Sequence, residues 1–133
     1  MQYRLLEWGI DSAAMTTDAG VDLVAYSAAQ ETSFAIQVKT NLKPKPGGGK
    51  GSPGVDWWVG EDCPATLYAL VDISTQRVWL FDKKELAAKA QQHPSGRHHL
   101  CMATKPGSLA YERTGTHRFE KFLLENRVSK LFL

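Results

Sequence analysis

Two apolar segments near the start of the chain carry polar side chains that could do chemistry together. Asp22 interrupts residues 20–26, and Gln37 and Lys39 interrupt residues 33–40. A buried aspartate or lysine is costly unless it has a partner or an ion. Hydrolysis of a phosphodiester needs a cation that polarises the phosphoryl oxygen, and a positive group near the developing charge. Asp22 could bind the cation, and Lys39 could supply the positive group.

The two segments are rich in β-branched and aromatic residues and are separated by a polar stretch, which predicts a β-hairpin. With the turn near residue 30, antiparallel pairing brings Asp22 opposite the neighbourhood of Val38 and Lys39. Gln37 and Lys39 are two residues apart and share one face. The other face should carry Phe34, Ile36 and Val38 into the core.

A hard cation such as Mg²⁺ prefers oxygen ligands. The hairpin could provide the Asp22 carboxylate, the Gln37 amide oxygen and the Val38 backbone carbonyl. A simpler interpretation also remains open, because a strand lysine beside a strand aspartate can be an edge salt bridge.

The rest of the chain predicts further elements of an α/β fold. Gly9 ends an opening segment that favours helix over strand, and Asp82 with Glu85 forms a capping box. The expected elements are a helix over 2–8, a second hairpin over 66–72 and 77–81, a helix over 83–92, a short strand over 99–104 and a helix over 116–131.

Residues 41–54 are dominated by glycine, proline and lysine, and we expect them to form a flexible loop without regular structure. Lys43, Lys45 and Lys50 could contact a DNA backbone from this loop, or the loop could be a solvated connector.

Aromatic residues, histidines and cysteines form a second group of candidates. Trp57 and Trp58 could stack on bases, although adjacent tryptophans more often close a core, and we expect that of at least one. Cysteine and histidine side chains invite a zinc hypothesis, but their spacing matches no tetrahedral motif, and surface or DNA-facing histidines are the preferred interpretation. These side chains are His93, His98, His99 and Cys101. Cys63 and Cys101 lack CxxC spacing and are expected to be reduced.

Composition limits the possible classes of protein. The chain has 133 residues, 43% of them hydrophobic, which suits a single α/β domain over residues 1–133. No apolar run is long enough for a bilayer and no secretory pattern begins the chain, so we expect a soluble cytoplasmic protein without a membrane partner. The net charge of +2 divides into −4 over residues 1–82 and +6 over residues 83–133. Such a division suits a phosphodiester substrate, although basic surface can also be merely solubilising.

The sequences GVDLVA (residues 20–25) and IQVKT (residues 36–40) carry a family resemblance. They resemble the Asp…(Glu/Gln)xLys hairpin of the PD-(D/E)xK, or restriction-endonuclease-like, nuclease superfamily. The similarity is to the branch of intron-encoded homing endonucleases and Holliday-junction-resolvase-like proteins, clearest over residues 18–40 and extending to about residue 86. It implies a mixed central β-sheet flanked by helices, and DNA cleavage with Mg²⁺ or Mn²⁺. Asp22 and Gln37 would bind metal and Lys39 would assist the attacking water.

Two positions depart from the family pattern. Gln37 stands where many members have an acid, which removes one formal charge from the metal site. Members of the superfamily usually have a glutamate on the first helix that faces the metal. In this chain Glu7 is the glutamate available near the start, and Asp18 is another candidate acid. The sequence therefore predicts a magnesium-dependent endodeoxyribonuclease, and a homo-oligomer is compatible with this prediction. The alternatives are a catalytically inactive nuclease-fold protein that binds nucleic acid or a partner protein, and a structural interaction domain.

Overall fold

The structure is a computed structural model that describes residues 1–17, 19–47 and 51–133. The strands are β1 (Asp11–Ala14), β2 (Leu23–Ser27), β3 (Thr32–Asn41), β4 (Lys45–Pro46), β5 (Pro53–Gly60), β6 (Leu67–Asp72), β7 (Arg77–Asp82) and β8 (Arg97–Ala103). The helices are α1 (Gln2–Leu6), α2 (Lys83–Lys89), α3 (Leu109–Thr114) and α4 (Leu124–Leu131). The 3-10 segments Pro94–Gly96 and Thr116–Phe122 precede β8 and α4 respectively.

The central sheet is mixed and has the strand order β1-β2-β3-β6-β7. The strands β1, β2 and β3 pair antiparallel, β3 and β6 run parallel, and β6 pairs antiparallel with β7. A parallel neighbour requires a crossover connection, which is usually a helix. Here the crossover contains β4 and β5, which join β8 in a second, three-stranded sheet. The predicted fold class is confirmed.

Apolar clusters cover both faces of the central sheet. One face carries Phe34, Ile36 and Val38 and packs with residues of α1 and α4. The opposite face packs with α2, the segment Thr116–Phe122 and the second sheet. Alternation along β3 places Gln37 and Lys39 on this second face. The prediction that Phe34, Ile36 and Val38 point into a core is confirmed.

Most predicted elements are present, with shifted ends. Both hairpins form, and α2 has the predicted capping box between Asp82 and Glu85. The α2 helix ends at Lys89, earlier than predicted, because Ala90 has extended backbone angles. The single helix predicted over residues 116–131 is wrong, since it divides at Leu123, which is extended and bridges to Trp79.

The prediction of an unstructured stretch over residues 41–54 is wrong at both ends. Asn41 still belongs to β3, and β4 pairs with the start of β5 through Lys45–Gly54 and Pro46–Pro53. Pro46 is tolerated because β4 is an edge strand, and Pro53 is tolerated because it is the first residue of β5. Residues 48–50, including Lys50, lie outside the described residues.

The structure also bears on the two cysteines and on the expected absence of a membrane-spanning helix. Cys63 is buried, Cys101 is partly buried, and both are free thiols, as expected. Among the described residues, no helix combines the length and apolar character needed to cross a bilayer.

Candidate active site and metal-ligand clusters

Asp22 lies immediately before β2, at the point where the pairing with β3 ends. The last regular pair joins Leu23 to Ile36, so Asp22 lies level with Gln37, one residue earlier than the sequence suggested. Its amide donates to the Ile36 carbonyl over 2.9 Å, and its carboxylate accepts the Val38 amide over 2.7 Å. The exposed Asp22 side chain is thereby fixed against the middle of β3.

The backbone of Val38 faces the side of β3 where β2 has ended. Carbonyls of Ala35 and Asn41 accept amides from the β6 side, whereas Ile36 accepts from Asp22 on the β2 side. Because these directions alternate along a strand, the amide and carbonyl of Val38 point to the β2 side. The amide is taken by Asp22, so the carbonyl lies beside this carboxylate at an open strand end.

Gln37 contributes a buried oxygen with unused hydrogen-bonding capacity. Its Oε1 atom has less than 1 Å² of exposed surface and no hydrogen-bond partner among the described residues. A buried polar atom without a partner costs free energy comparable to a lost hydrogen bond. An oxygen held in this way is suited to an ion or a water molecule.

Tyr68 is the neighbour of Gln37 across the parallel pair β3–β6. Burial, together with the nearby Cys63 thiol, raises the pKa of Tyr68 to about 12. The phenol is therefore protonated at neutral pH and can donate a proton or a hydrogen bond, but it does not serve as a general base.

Lys39 lines a groove of about 570 Å³ with two of the predicted DNA-contacting residues, Lys43 and Lys45. The aromatic residues Trp57 and Trp58 and the carboxylate of Asp56 complete the same groove. Within the described part of the chain, Lys39 forms no ion pair with a carboxylate. The edge salt bridge between Lys39 and Asp22 that the sequence left open does not form.

Of the two additional acids, Glu7 belongs to the described residues, and no contact among these residues joins it to Asp22. Glu7 caps the C-terminal end of α1, and its carboxylate pairs with Arg4 over 3.0 Å. Arg4 also reaches Glu125 of α4, over 3.5 Å. Glu7 therefore has a partner of its own, and its role as a metal ligand stays a prediction. Asp18 lies outside the described residues.

The two adjacent tryptophans have different environments. Trp57 is 2% exposed and packs against Trp79, which confirms the expected core position for one of the pair. Trp58 is 37% exposed, but His99 stacks on its ring at 3.9 Å and Arg97 lies 4.5 Å from its centroid. These neighbours occupy ring surface that a nucleobase would need for stacking.

The histidines and cysteine of the zinc hypothesis do not form one site. They divide into two separate groups, and within each group the ligand atoms lie within 4.8 Å of one another. One group is Asp56, His99 and Cys101, and the other is Glu61, His93 and His98. Sequence reasoning missed Asp56 and Glu61, because only the pairing of β5 with β8 brings them to the histidines. The local signal that could have pointed to Asp56 as a site residue is its position directly before Trp57 and Trp58.

Comparisons with known proteins bear on the fold. No family model and no curated protein matches the chain. Among solved structures, the chain is similar to the bacterial homing endonuclease I-Ssp6803I, with a TM-score of 0.52 and 11% identity. The alignment covers 83% of this chain and 78% of the endonuclease chain. At this identity the similarity concerns the fold, and the chain has a nuclease-like fold.

Proposed function

We propose that the protein is a metal-dependent endonuclease of the PD-(D/E)xK type that hydrolyses DNA phosphodiester bonds with Mg²⁺ or Mn²⁺. The observation that carries the proposal is the buried Gln37 Oε1 atom, which has no hydrogen-bond partner in the described part of the chain. Gln37 adjoins Val38, whose amide binds the Asp22 carboxylate. A carboxylate, an amide oxygen and a backbone carbonyl at one strand end form the oxygen donor set that hard divalent cations prefer. The fold shared with a homing endonuclease supports the same assignment.

Each residue has a defined part in this proposal. Asp22, Gln37 and the Val38 carbonyl hold the cation, which when bound polarises the phosphoryl oxygen and acidifies a water. The Val38 amide fixes the Asp22 carboxylate, which limits reorganisation of the ligand on binding. Lys39, which lines the groove, supplies positive charge that orients the attacking water or stabilises the developing negative charge.

The groove of Lys39, Lys43 and Lys45 suits the phosphate backbone of the substrate. Three lysines line one depression, and cations that neutralise phosphates dominate the affinity of proteins for DNA. No base-reading side chain is assigned, because phosphate contacts position a protein on DNA without reading its sequence.

A plasmid-nicking assay tests the proposed activity. Purified protein is incubated with supercoiled plasmid in the presence of Mg²⁺, Mn²⁺ or EDTA. We expect nicked or linear product with either metal and none with EDTA, since the ligand set requires a divalent cation. Salt-sensitive DNA binding without cleavage would instead favour an inactive nuclease-fold protein. Such a protein is consistent with Gln37, which stands where many members of the superfamily have an acidic metal ligand. The absence of both binding and cleavage would contradict any role on DNA.

The groove lysines give a separate prediction about affinity. In Lys43→Gln/Lys45→Gln, we expect uniformly weaker binding to DNA of different sequences. The slope of the logarithm of the binding constant against the logarithm of the salt concentration should fall by about two, one for each lost phosphate contact. Fluorescence anisotropy at several salt concentrations, with Ca²⁺ as the cation, measures this slope. The charge-matched control is Lys83→Gln/Lys84→Gln, which changes two exposed lysines at the start of α2. Equal loss in both double variants would contradict binding in the groove.

A further inference from the structure

A second group of metal-ligating side chains lies on the outer face of the second sheet. Asp56 of β5 and Cys101 of β8 are directly paired, and His99 lies two residues along β8 on the same face. The distance from His99 Nε2 to Asp56 Oδ2 is 2.7 Å, and that from Cys101 Sγ to His99 Nε2 is 3.5 Å. All three residues are partly buried.

Hydrogen bonds from neighbouring side chains fix the positions of Asp56, His99 and Cys101. Gln92 Oε1 lies 3.3 Å from His99 Nδ1, and since this oxygen can only accept, the contact favours a proton on Nδ1. Gln91 bonds both the amide and the carbonyl of Cys101, each over 2.9 Å. Asn41, which is buried, donates to the backbone and the carboxylate of Asp56. Metal-ligating histidines typically donate their second ring N–H in this way, which fixes the tautomer and the ring orientation.

Both ring nitrogens of His99 face oxygen acceptors, Gln92 Oε1 at Nδ1 and Asp56 Oδ2 at Nε2. With the proton on Nδ1, the lone pair of a neutral imidazole at Nε2 points at a carboxylate oxygen. Two lone pairs at this distance repel unless a second proton or a cation lies between them. A Cys-His-Asp nucleophile relay does not fit, because Asp56 lies at Nε2 and Gln92 at Nδ1, so neither ring nitrogen is left for the Cys101 thiol, which lies 3.5 Å from Nε2 and 3.8 Å from Nδ1. Burial, and then the charge of Asp56, also raises the pKa of the Cys101 thiol, which opposes a reactive thiolate.

We propose that Asp56 Oδ2, His99 Nε2 and Cys101 Sγ form a binding site for a Zn²⁺-like transition-metal ion, distinct from the proposed Mg²⁺ site. A thiolate, an imidazole and a carboxylate are the ligands that zinc prefers, whereas Mg²⁺ selects oxygen alone. Ligand atoms around tetrahedral zinc are separated by about 3.3 to 3.8 Å, given the bond lengths to zinc. The Cys101–His99 distance already fits, and the Asp56–His99 pair must open by about half an ångström.

The fourth coordination position faces a cavity. All three ligands line a depression of about 390 Å³ between the second sheet and α3, together with Lys45. Three protein ligands with one open position are typical of sites that keep a water or take a substrate group. A water molecule, or a small anion attracted by Lys45, completes the shell.

Cobalt substitution tests the site directly. Full-length protein stripped of metal is titrated with Co²⁺, and its visible and near-ultraviolet absorption are recorded. We expect tetrahedral cobalt bands and a thiolate-to-cobalt charge-transfer band that saturates at about one ion per chain and is displaced by Zn²⁺. The charge-transfer band is lost in Cys101→Ser and retained in Cys63→Ala, the matched change of the other free cysteine. In Gln92→Ala, which removes only the partner of Nδ1, the affinity falls about 10-fold.

Other variants separate this site from its neighbours. Asp22→Asn retains the charge-transfer band, so failure of the proposed nuclease activity and failure of the zinc site are distinguishable. His93→Gln/His98→Gln also retains it, because the second histidine group contains no sulfur. If Cys101→Ser does not fold, His99→Gln serves the same purpose. The proposal is overturned if wild-type protein shows no sulfur charge-transfer band, or if the band persists in Cys101→Ser.

Discussion

Replacing Asp22 by asparagine is expected to lower metal-dependent DNA cleavage by about 10²- to 10³-fold, because the metal loses the charge of its carboxylate ligand. Asparagine keeps the size of the side chain and an oxygen that can accept the Val38 amide, so the local hydrogen bond survives. Plasmid nicking under single-turnover conditions measures the rate, and circular dichroism checks the fold. A variant that cleaves at the wild-type rate would remove Asp22 from the active site.

A pair of lysine variants tests the other half of the site. In Lys39→Met the apolar stem is kept and the charge is removed, and we expect a loss in cleavage rate of similar size with a small change in DNA affinity. In Lys43→Met, on the same groove, we expect weaker binding with a nearly unchanged rate at saturating DNA. Equal effects of the two changes on the rate would contradict a special role of Lys39 in chemistry.

The ion pair between Glu85 and Arg127 is the basis of the second large expected effect, which concerns stability. Arg127 of α4 is 7% exposed, and its two terminal nitrogens bind both Glu85 oxygens, over 2.7 and 2.9 Å. Glu85 also accepts the Asp82 amide in the capping box of α2. In Glu85→Ala a buried guanidinium loses its counter-charge and α2 loses the Glu85 half of its capping box, so we expect a loss of about 3 to 5 kcal/mol in the free energy of unfolding. Urea denaturation measures the change.

Two further variants show whether the charge is responsible. In Glu85→Ala/Arg127→Met no unpaired charge stays buried, so the loss should be smaller than in Glu85→Ala alone. Glu125→Ala removes an exposed carboxylate of α4 that contacts Arg4, and should cost less than about 1 kcal/mol. A double variant as unstable as the sum of the single changes would show that the pair is not coupled.

The same pair predicts how stability depends on pH. Burial alone would raise the pKa of Glu85, but the hydrogen bonds and charge of Arg127 outweigh it, and the pKa is lowered from its ordinary 4.5. The contribution of Glu85 to stability is therefore fully present above about pH 4.5 and is lost as the pH falls through the lower folded value. Unfolding midpoints measured at a series of pH values should fall less steeply with acid in Glu85→Ala than in the wild type.

Local patterns in the sequence determined the hairpins and the capped helix. Alternation of polar and apolar residues predicted which face of β3 enters the core, and a short turn set the pairing of β2 with β3 to within one residue. The Asp82–Glu85 capping box was readable because its two residues are three positions apart. For the same reason Asp22, Gln37 and Lys39 could be proposed as one site, since they share a hairpin.

Other features depended on contacts between distant parts of the chain. The short strand β1 and the pairing of β4 with β5 carry weak local signals, and they form because neighbouring strands offer unpaired edges. The break at Leu123 follows from its bridge to Trp79 of β7, which overrides the helical pattern of residues 116–131.

The amino-acid sequence by itself determined the hairpin that carries Asp22, Gln37 and Lys39, because all three side chains are positioned by one short turn and the period of a β-strand. Only the tertiary structure decided that Asp56 meets His99 and Cys101, since the pairing of β5 with β8 joins residues 45 positions apart. It also decided that Lys39 shares a groove with Lys43 and Lys45. Turn geometry and alternation act over a few residues and are visible in sequence, whereas the packing of one sheet on another depends on the whole core.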